Sequence, residues 1–279
     1  MSAPQTVAVI GLGMIGGSVA RALAAQGVRV VGYDVNSSYV DEAVAEGVVA
    51  QRLDPSLEDL CGADAAVIAV FGDAAVDVLE KLSRHSSELR LVTDTGSTKR
   101  SIVAAAEDSE LSGVFVGAHP FAGDHRSGFT ASRFDLFEGE IVYQCPGASS
   151  SQRSVDAAND LWASMGAKIV KIDPAEHDDL LAWTSHLPHF LSCTLALTLA
   201  HSGIAHRQLG RGGRDVTRLA AGSPEVWTSI AMDNADAILH GISTLEKELG
   251  DFRSVLERRD RDEIRERFAK AREWSGPAR

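Results

Sequence analysis

Hydrophobic and polar positions follow two rhythms along this chain. Through residue 172 the apolar residues come in short unbroken runs, each closed by glycine or a small polar residue. Such runs at 7–10 (VAVI), 28–33, 65–70 (AAVIAV), 91–94 (LVTD), 140–144 (EIVYQ) and 167–172 (AKIVKI), with another starting at 114–116, suit buried strands better than helices. Helical spacing between them predicts helices at 18–26 with Gly27 as C-cap, 40–46 ended by Gly47, 56–60, 74–82, one beginning near Lys99, and 153–165. Strands and helices in alternation imply an α/β fold with a doubly wound, mostly parallel sheet. After Pro174 the rhythm becomes helical throughout, over 176–200, 224–249 and 252–273. Phe252, Leu256, Ile264 and Phe268 mark an apolar stripe in the last of these, and its many charges read as a solvated face laced with i,i+4 pairs. The expected division is residues 1–173 as the α/β domain and 174–279 as an all-helical domain that closes over a substrate and dimerises.

One stretch organises the first half. The run at 7–10 leads into Gly11-Leu12-Gly13-Met14-Ile15-Gly16, then a helix, then a second strand ending at Asp34. Gly11 allows the tight turn, Gly13 lets backbone N–H groups approach a pyrophosphate, and Gly16 brings helix against strand. The helix N-terminus faces the negative charge. Asp34, 18 residues past Gly16, is placed to bond a ribose diol and to repel a 2′-phosphate. Asn36, Ser37 and Ser38 follow with no Arg, so NAD is expected over NADP. This is a Rossmann-like nucleotide-binding arrangement. Ligands on such sheets bind at the carboxyl ends of strands, which adds Val70, Thr95 and Gly96 to the expected cofactor set alongside Met14 and Ile15. The segments TGSTK and GAHPFAG are then expected to face the nicotinamide.

Composition narrows the partners. A chain of 279 residues with a formal net charge of −12 is a poor fit to nucleic acid or an anionic membrane, while local Arg and His still permit a small anionic substrate. Cys61, Cys145 and Cys193 form no CxxC pair and leave one over, which fits a reducing cytoplasm. The N-terminus has no basic segment ahead of its first apolar run, and no stretch reaches the length of a membrane span.

Among residues that could do chemistry, His119 ends a predicted strand, precedes Pro120, and lies between Gly117 and Gly123. A neutral imidazole there can accept a proton from an alcohol whose carbon loses hydride, with activity rising with pH through the imidazole range. A turn histidine bonded to backbone is the plain alternative. Ser97 could orient that ring, or simply cap the helix beginning near Lys99. Ser185-His186-Leu187-Pro188-His189 lies in an apolar helix. Its two histidines lack further ligands at metal spacing, so no metal is expected and one of them reads as a core histidine. Residues 210–218 (GRGGRDVTR) place three arginines on a glycine-rich loop. Arg218 or Arg214 could fork a substrate carboxylate, with a salt bridge to Asp215 as the alternative for one arginine. Trp227 and Asn234 could line the pocket or simply pack.

The series GLGMIGGS, Asp34, TDTGSTK, GAHPFAG, HDDLLAWTSHLPH and GRGGRDVTRLAAGSPEVW resembles, in order and over nearly the whole chain, the motifs of prephenate and arogenate dehydrogenases. That resemblance implies a nicotinamide-binding domain followed by an all-helical dimerisation domain, and a cytoplasmic homodimer formed through the C-terminal helices. It implies oxidative decarboxylation of prephenate, or arogenate, with NAD in tyrosine biosynthesis. His119 would take the hydrogen bond or proton of the ring hydroxyl, Ser97 would position it, Arg218 would grip the side-chain carboxylate, and His189 and Ser185 would complete the pocket. Asp124-His125-Arg126 departs from the family pattern, which bears on substrate choice: a carboxylate at Asp124 would favour the ammonium of arogenate. With the chain stopping soon after its last predicted helix, no appended chorismate mutase or ACT domain is expected. Two other readings are a dehydrogenase of the same fold acting on an amino-substituted prephenate analogue or another hydroxy acid, and a non-catalytic NAD sensor. Intact Ser97, His119, His189 and Arg218 argue against the sensor.

Overall fold

The computed structural model describes residues 4–123 and 126–276. Contacts divide the chain into one compact unit running to Asn234 and a second from Ala235.

Eight strands form one sheet in the first unit: β1 (Thr6–Ile10), β2 (Arg29–Tyr33), β3 (Gln51–Arg52), β4 (Ala65–Ile68), β5 (Leu91–Asp94), β6 (Phe115–Pro120), β7 (Ile141–Pro146) and β8 (Lys168–Lys171). Their order is β3-β2-β1-β4-β5-β6-β7-β8, and every neighbouring pair is parallel except β6 with β7. The sheet is buried on both faces, as unbroken apolar runs require. Val7 and Val9 of β1 point into one core with Trp162, while Ala8 and Ile10 point into another with Leu79 and Phe115. Helices α1 (Met14–Ala25) and α5 (Gln152–Ser164) cover the first face, and α3 (Asp73–Leu82) and α4 (Arg100–Glu107) cover the second. A shorter α2 (Ser37–Ala45) follows β2, with Asn36 as its N-cap.

The reversal at β7 has a local cause. Among the described residues between β6 and β7 no α-helix crosses the sheet, and Pro120 pairs with Val142 in antiparallel register. The excursion packs on α1: Phe129 joins that core and Arg133 N–H donates to Ser18 Oγ at 3.0 Å.

Several expected elements are corrected. The helix after the glycine turn begins at Met14 rather than at residue 18, so Met14 and Ile15 occupy its first turn. Residues 56–60 are not helical; Leu57 and Cys61 adopt positive φ, which breaks any helical run. Two residues of β3 pair with β2, too short a strand for any pattern to mark.

From Pro174 the chain is helical. Asp173 accepts N–H bonds from Ala175 and Glu176, and Pro174 fills the first helical position, so α6 (Pro174–Leu181) starts sharply. It runs through a π turn, Ala182–His186, into α7 (Leu187–His201). Pro188 explains the π turn. It has no N–H to give the preceding turn, and the helix widens so that Leu187 N–H reaches back to the carbonyl of Ala182. The arginine segment is helical rather than a loop: α8 (Arg211–Thr217) is followed by a 3-10 turn, Arg218–Ala221, and then α9 (Pro224–Asp233).

The second unit is a helical hairpin, α10 (Ala235–Arg258) and α11 (Arg261–Ser275). The expected breaks are displaced. The 224–249 helix divides at Asn234, and α10 runs through residue 252 to a turn at Arg259, which has positive φ. Phe252 and Phe268 meet across the hairpin at 5.9 Å between ring centroids, with the Arg267 guanidinium over Phe252. The i,i+4 pairs Glu263–Arg267 and Glu266–Lys270 lie on α11.

Candidate active site

The glycine turn has the geometry its residue types suggest. Gly11 has φ of 95°, and a side chain there would overlap the backbone of Ala69 after β4. A Cβ at Gly16 would overlap the Gly11 carbonyl, so helix and turn are as close as glycine allows. A Cβ at Gly13 would meet nothing within 4 Å, which leaves its backbone open to a ligand. Gly13 caps α1 without a side-chain bond, and the first turn carries no acid. Its N–H groups are therefore left for an anion. Asp34 closes the site, accepting Leu12 N–H at 2.6 Å and Asn36 N–H at 2.8 Å. A carboxylate has room for further donors, so a diol fits beside the turn. Among the described residues these features suit a dinucleotide.

Beyond the turn, a cleft opens at the carboxyl ends of β4 and β5. Val70, Gly96, Ser97 and Asp94 line it together with Asp233 of α9. Thr95 N–H bonds the Ile68 carbonyl, and Thr98 Oγ1 donates to Asp233 Oδ2 at 2.9 Å. Burial raises the Asp233 carboxyl above its usual range despite the Thr98 bond.

At the ends of β5 and β6 lies a buried network. Asp94 accepts N–H bonds from Gly96 (2.8 Å) and Ala118 (2.9 Å) and pairs with the Lys99 ammonium. Lys99, fully buried, also donates to the Ala118 carbonyl at 2.9 Å. A buried ion pair is tolerable when hydrogen bonds supplement it, as the two N–H bonds to Asp94 and the Ala118 carbonyl on Lys99 do here. The effect is to tie β5 to the residue before His119. Gly117 makes room, because a Cβ there would press on Cys145 O and Val103.

His119 is buried at the end of β6, and its Nδ1 lies 2.9 Å from His177 Nε2 on α6. His177 Nδ1 lies 2.7 Å from Asp178 Oδ1. Asp178 also accepts the backbone N–H groups of Lys99 (2.8 Å) and Arg100 (2.9 Å). Burial alone would raise Asp178, but bonds from His177 and from the N–H groups of Arg100 and Lys99 outweigh it and hold the carboxyl below its usual range. Burial, and then repulsion from His177, Lys99 and His186 against a second positive charge, push His119 well below the ordinary imidazole value. It is therefore neutral near pH 7.

From Asp178 the contacts continue. Asn234 Nδ2 donates to the Asp178 carbonyl at 2.7 Å and sits 3.2 Å from His186 Nδ1. His186, pushed down to about 4 by burial, meets Trp227 edge-on. Trp227 stacks on His189 at 3.4 Å between centroids, and burial lowers His189 too. Gly222 permits the stack, since a Cβ there would stand 2.7 Å from Trp227 Nε1.

The expected site residues do not all converge. His119, His189 and Trp227 belong to one connected cluster. Ser97 lines the neighbouring cleft with Val70 and Gly96 and makes no hydrogen bond to His119; the bond that orients the ring comes from His177. Ser185 is half-buried on the π turn. Arg218 is exposed on the 3-10 turn with no hydrogen bond or ion pair among the described residues. That turn is pinned to α7 by the bond from Ala220 N–H to Ser192 Oγ. Arg214 is engaged with the Leu209 carbonyl at 2.5 Å, and Arg211 stands 3.9 Å from Asp215. Asp124 and His125 lie outside the described residues, so their part in substrate choice stays an expectation. Sequence reasoning assigned no role to His177, Asp178, or the Asp94–Lys99 pair. The adjacent His-Asp just after a proline N-terminus was the available signal for the first two.

Two family models match the chain in sequence: prephenate dehydrogenase, nucleotide-binding domain, over residues 19–171, and prephenate dehydrogenase, dimerization domain, over residues 173–270. The chain belongs to the prephenate dehydrogenase family. Prephenate dehydrogenase of Bacillus subtilis (strain 168) is 32% identical over 97% of this chain and 75% of its own length. The structure of prephenate dehydrogenase from A. aeolicus in complex with hydroxyphenyl propionate and NAD+ matches with a TM-score of 0.88 at 28% identity, covering 97% of this chain and 96% of that one. Synechocystis arogenate dehydrogenase matches with a TM-score of 0.80 at 28% identity, covering 95% and 96%. No helix among the described residues is long and apolar enough to cross a membrane.

Proposed function

We propose that this prephenate dehydrogenase family member oxidatively decarboxylates prephenate or arogenate with NAD, forming 4-hydroxyphenylpyruvate or tyrosine in tyrosine biosynthesis. The observation that carries the chemistry is His119, a buried and neutral imidazole at the carboxyl end of β6, on the sheet whose β1 end forms the glycine turn. Gly11, Gly13 and Gly16, with Met14, Ile15 and Asp34, would hold the dinucleotide, and Val70, Thr95 and Gly96 would border its nicotinamide. When bound, NAD supplies the acceptor for the hydride that leaves the hydroxyl-bearing ring carbon. His119 Nε2 draws the hydroxyl proton as that hydride departs and returns it to the phenolic oxygen of the product. The carboxylate on the opposite ring carbon leaves as CO2, and the electrons of its C–C bond complete the aromatic ring. Aromatisation drives the step, so the protein has chiefly to orient substrate and assist one proton, typically about 10²–10⁴-fold. Arg218, the unengaged guanidinium, grips the side-chain carboxylate, while His189, Ser185 and Trp227 shape the pocket. Ser97, at the cleft wall, hydrogen-bonds the substrate hydroxyl and sets it toward His119.

The functional division we infer is a nucleotide-binding part to residue 173 and a helical part from Pro174, working as a homodimer through C-terminal helices. Support for the dimer comes from the family's dimerization domain and from apolar side chains exposed on α10 and α11, among them Leu256 and Phe268. A cytoplasmic setting is consistent with three free cysteines.

The test mixes purified protein with NAD and either prephenate or arogenate and follows NADH absorbance. NADH formation with at least one ring substrate is expected, and much weaker formation with NADP. Asp34→Ala should narrow the NAD-to-NADP gap. Absence of NADH with both substrates would overturn the proposal.

A further inference from the structure

We propose that His177 and Asp178 are positioning residues that lock His119 in the one tautomer able to act as a base. The inference rests on the dehydrogenase reading for its kinetic consequence, but its structural claim stands apart from substrate.

The argument starts from groups whose protons are not in question. The backbone N–H groups of Lys99 and Arg100 can only donate, and both point at the Asp178 carboxylate, one to each oxygen. Those bonds hold Asp178 as an acceptor. His177 Nδ1, 2.7 Å from Asp178 Oδ1, must therefore carry its proton. Two positive imidazoles 2.9 Å apart in a buried site would repel, so His177 stays neutral if His119 is to take up a proton; its Nε2 is then bare and faces His119 Nδ1. Two facing lone pairs would repel, so His119 must donate from Nδ1. Its own lone pair is left on Nε2, the ring nitrogen not engaged by His177. Carboxylate, first imidazole and second imidazole thus form a directed chain whose free end is a proton acceptor.

The arrangement also serves the protonated state. When His119 Nε2 gains the hydroxyl proton, the ring keeps its Nδ1–H donated to His177, which is itself bonded to an anionic carboxylate. The proton drawn from the substrate oxygen is held on Nε2 until the ring is aromatic, when the phenolate oxygen of the product takes it back. Lys99 and His186 oppose a positive charge on His119, and Tyr143 and Phe121 pack around its ring. The Asp178 carboxylate, reached through a neutral His177, is what offsets them. Neither residue touches the open side of His119, so both act through it. His177 and Asp178 are fully buried, at 0% exposure, which removes water as a competing partner.

Asp178→Asn gives the sharpest test. An amide cannot accept from every donor that Asp178 meets; with its NH2 at the Oδ1 position, which forfeits the Lys99 N–H bond made to that same oxygen, it would donate to His177 Nδ1. His177 would then carry its proton on Nε2, and His119 would be forced to place its own on Nε2 and lose its basic face. Nitrogen-15 NMR of histidine-labelled full-length protein reads this directly, with His119→Asn and His177→Gln used to assign the ring signals. In the unmodified protein His119 should show a protonated Nδ1 and a pyridine-like Nε2; in Asp178→Asn the two should exchange. NAD affinity should be unchanged, kcat should fall by at least about 10²-fold, and KM for the ring substrate should move little. His177→Gln, whose amide can accept from His119 and donate to Asp178, should retain more kcat than His177→Leu. It also serves as the kinetic arm if Asp178→Asn does not fold. A protonated Nε2 on His119 in the unmodified protein would overturn the proposal, as would unmodified kcat in His177→Leu. Should neither ring substrate be turned over, the reaction assignment fails while the NMR result still decides the tautomer.

Discussion

At the scale of single residues, the site separates groups that act in the transition state from groups that hold substrate throughout. His119→Asn should lower kcat by about 10²–10⁴-fold with KM nearly unchanged, because proton acceptance matters only as the hydride leaves. Arg218→Ala should do the reverse. A carboxylate held by a guanidinium is held in ground and transition state alike, so KM should rise roughly 10- to 100-fold, the equivalent of one charged hydrogen-bonding contact. Swapped signatures in steady-state kinetics would exchange the two roles. The pH profile follows from the sign of the His119 shift. Its pKa in the folded protein lies well below the 6.5 of a free imidazole, so the ring is already neutral at 6.5 and charges only on further acidification. The acid limb of kcat/KM should therefore lie below that value. This corrects the expectation of a limb within the imidazole range, which assumed a solvated ring; burial among cations is the reason.

At the scale of elements, the pocket side depends on two backbone irregularities. The π turn before Pro188 sets the angle at which Ser185, His186 and His189 leave one continuous helix, and regular spacing would have put them elsewhere. Gly222, between the 3-10 turn and α9, lets Trp227 lie flat on His189. Gly222→Ala keeps an allowed backbone, since φ there is −65°. It should nonetheless push the stack apart at an overpacking cost of about 1–3 kcal/mol. KM for the ring substrate should rise about tenfold while NAD affinity, read by titration, stays put. An unchanged KM would remove the stack from the pocket wall.

At the scale of the whole molecule, the second unit shows more apolar surface than a lone hairpin should. Leu239, Leu249, Leu256, Phe268 and Trp274 are all exposed on α10 and α11. Patches of that kind mark interfaces. Light scattering at micromolar concentration should report a homodimer, and Leu256→Glu with Phe268→Glu should shift it toward monomer by placing charges in the buried face. A monomeric unmodified protein would contradict the proposed assembly.

Local pattern by itself determined seven of the eight strands, because a strand buried on both faces must be written as an apolar run, and the glycine turn, because only glycine fits its backbone. It carried the acid at the end of β2 and the helical character after Pro174 for the same local reasons. Motif order carried the family. Other features needed the fold. Residues 56–60 have helical spacing, yet Leu57 and Cys61 adopt positive φ, which spacing does not encode. The arginine segment looked like a loop from its glycines and became α8 against α7. Above all, the partner of His119 was invisible in one dimension. His177 lies 58 residues away, brought there because α6 packs beside β7 and α4 and Asp178 ties it to the start of α4. Local propensity is read from neighbours in sequence, whereas the proton on His119 is set by a neighbour in space.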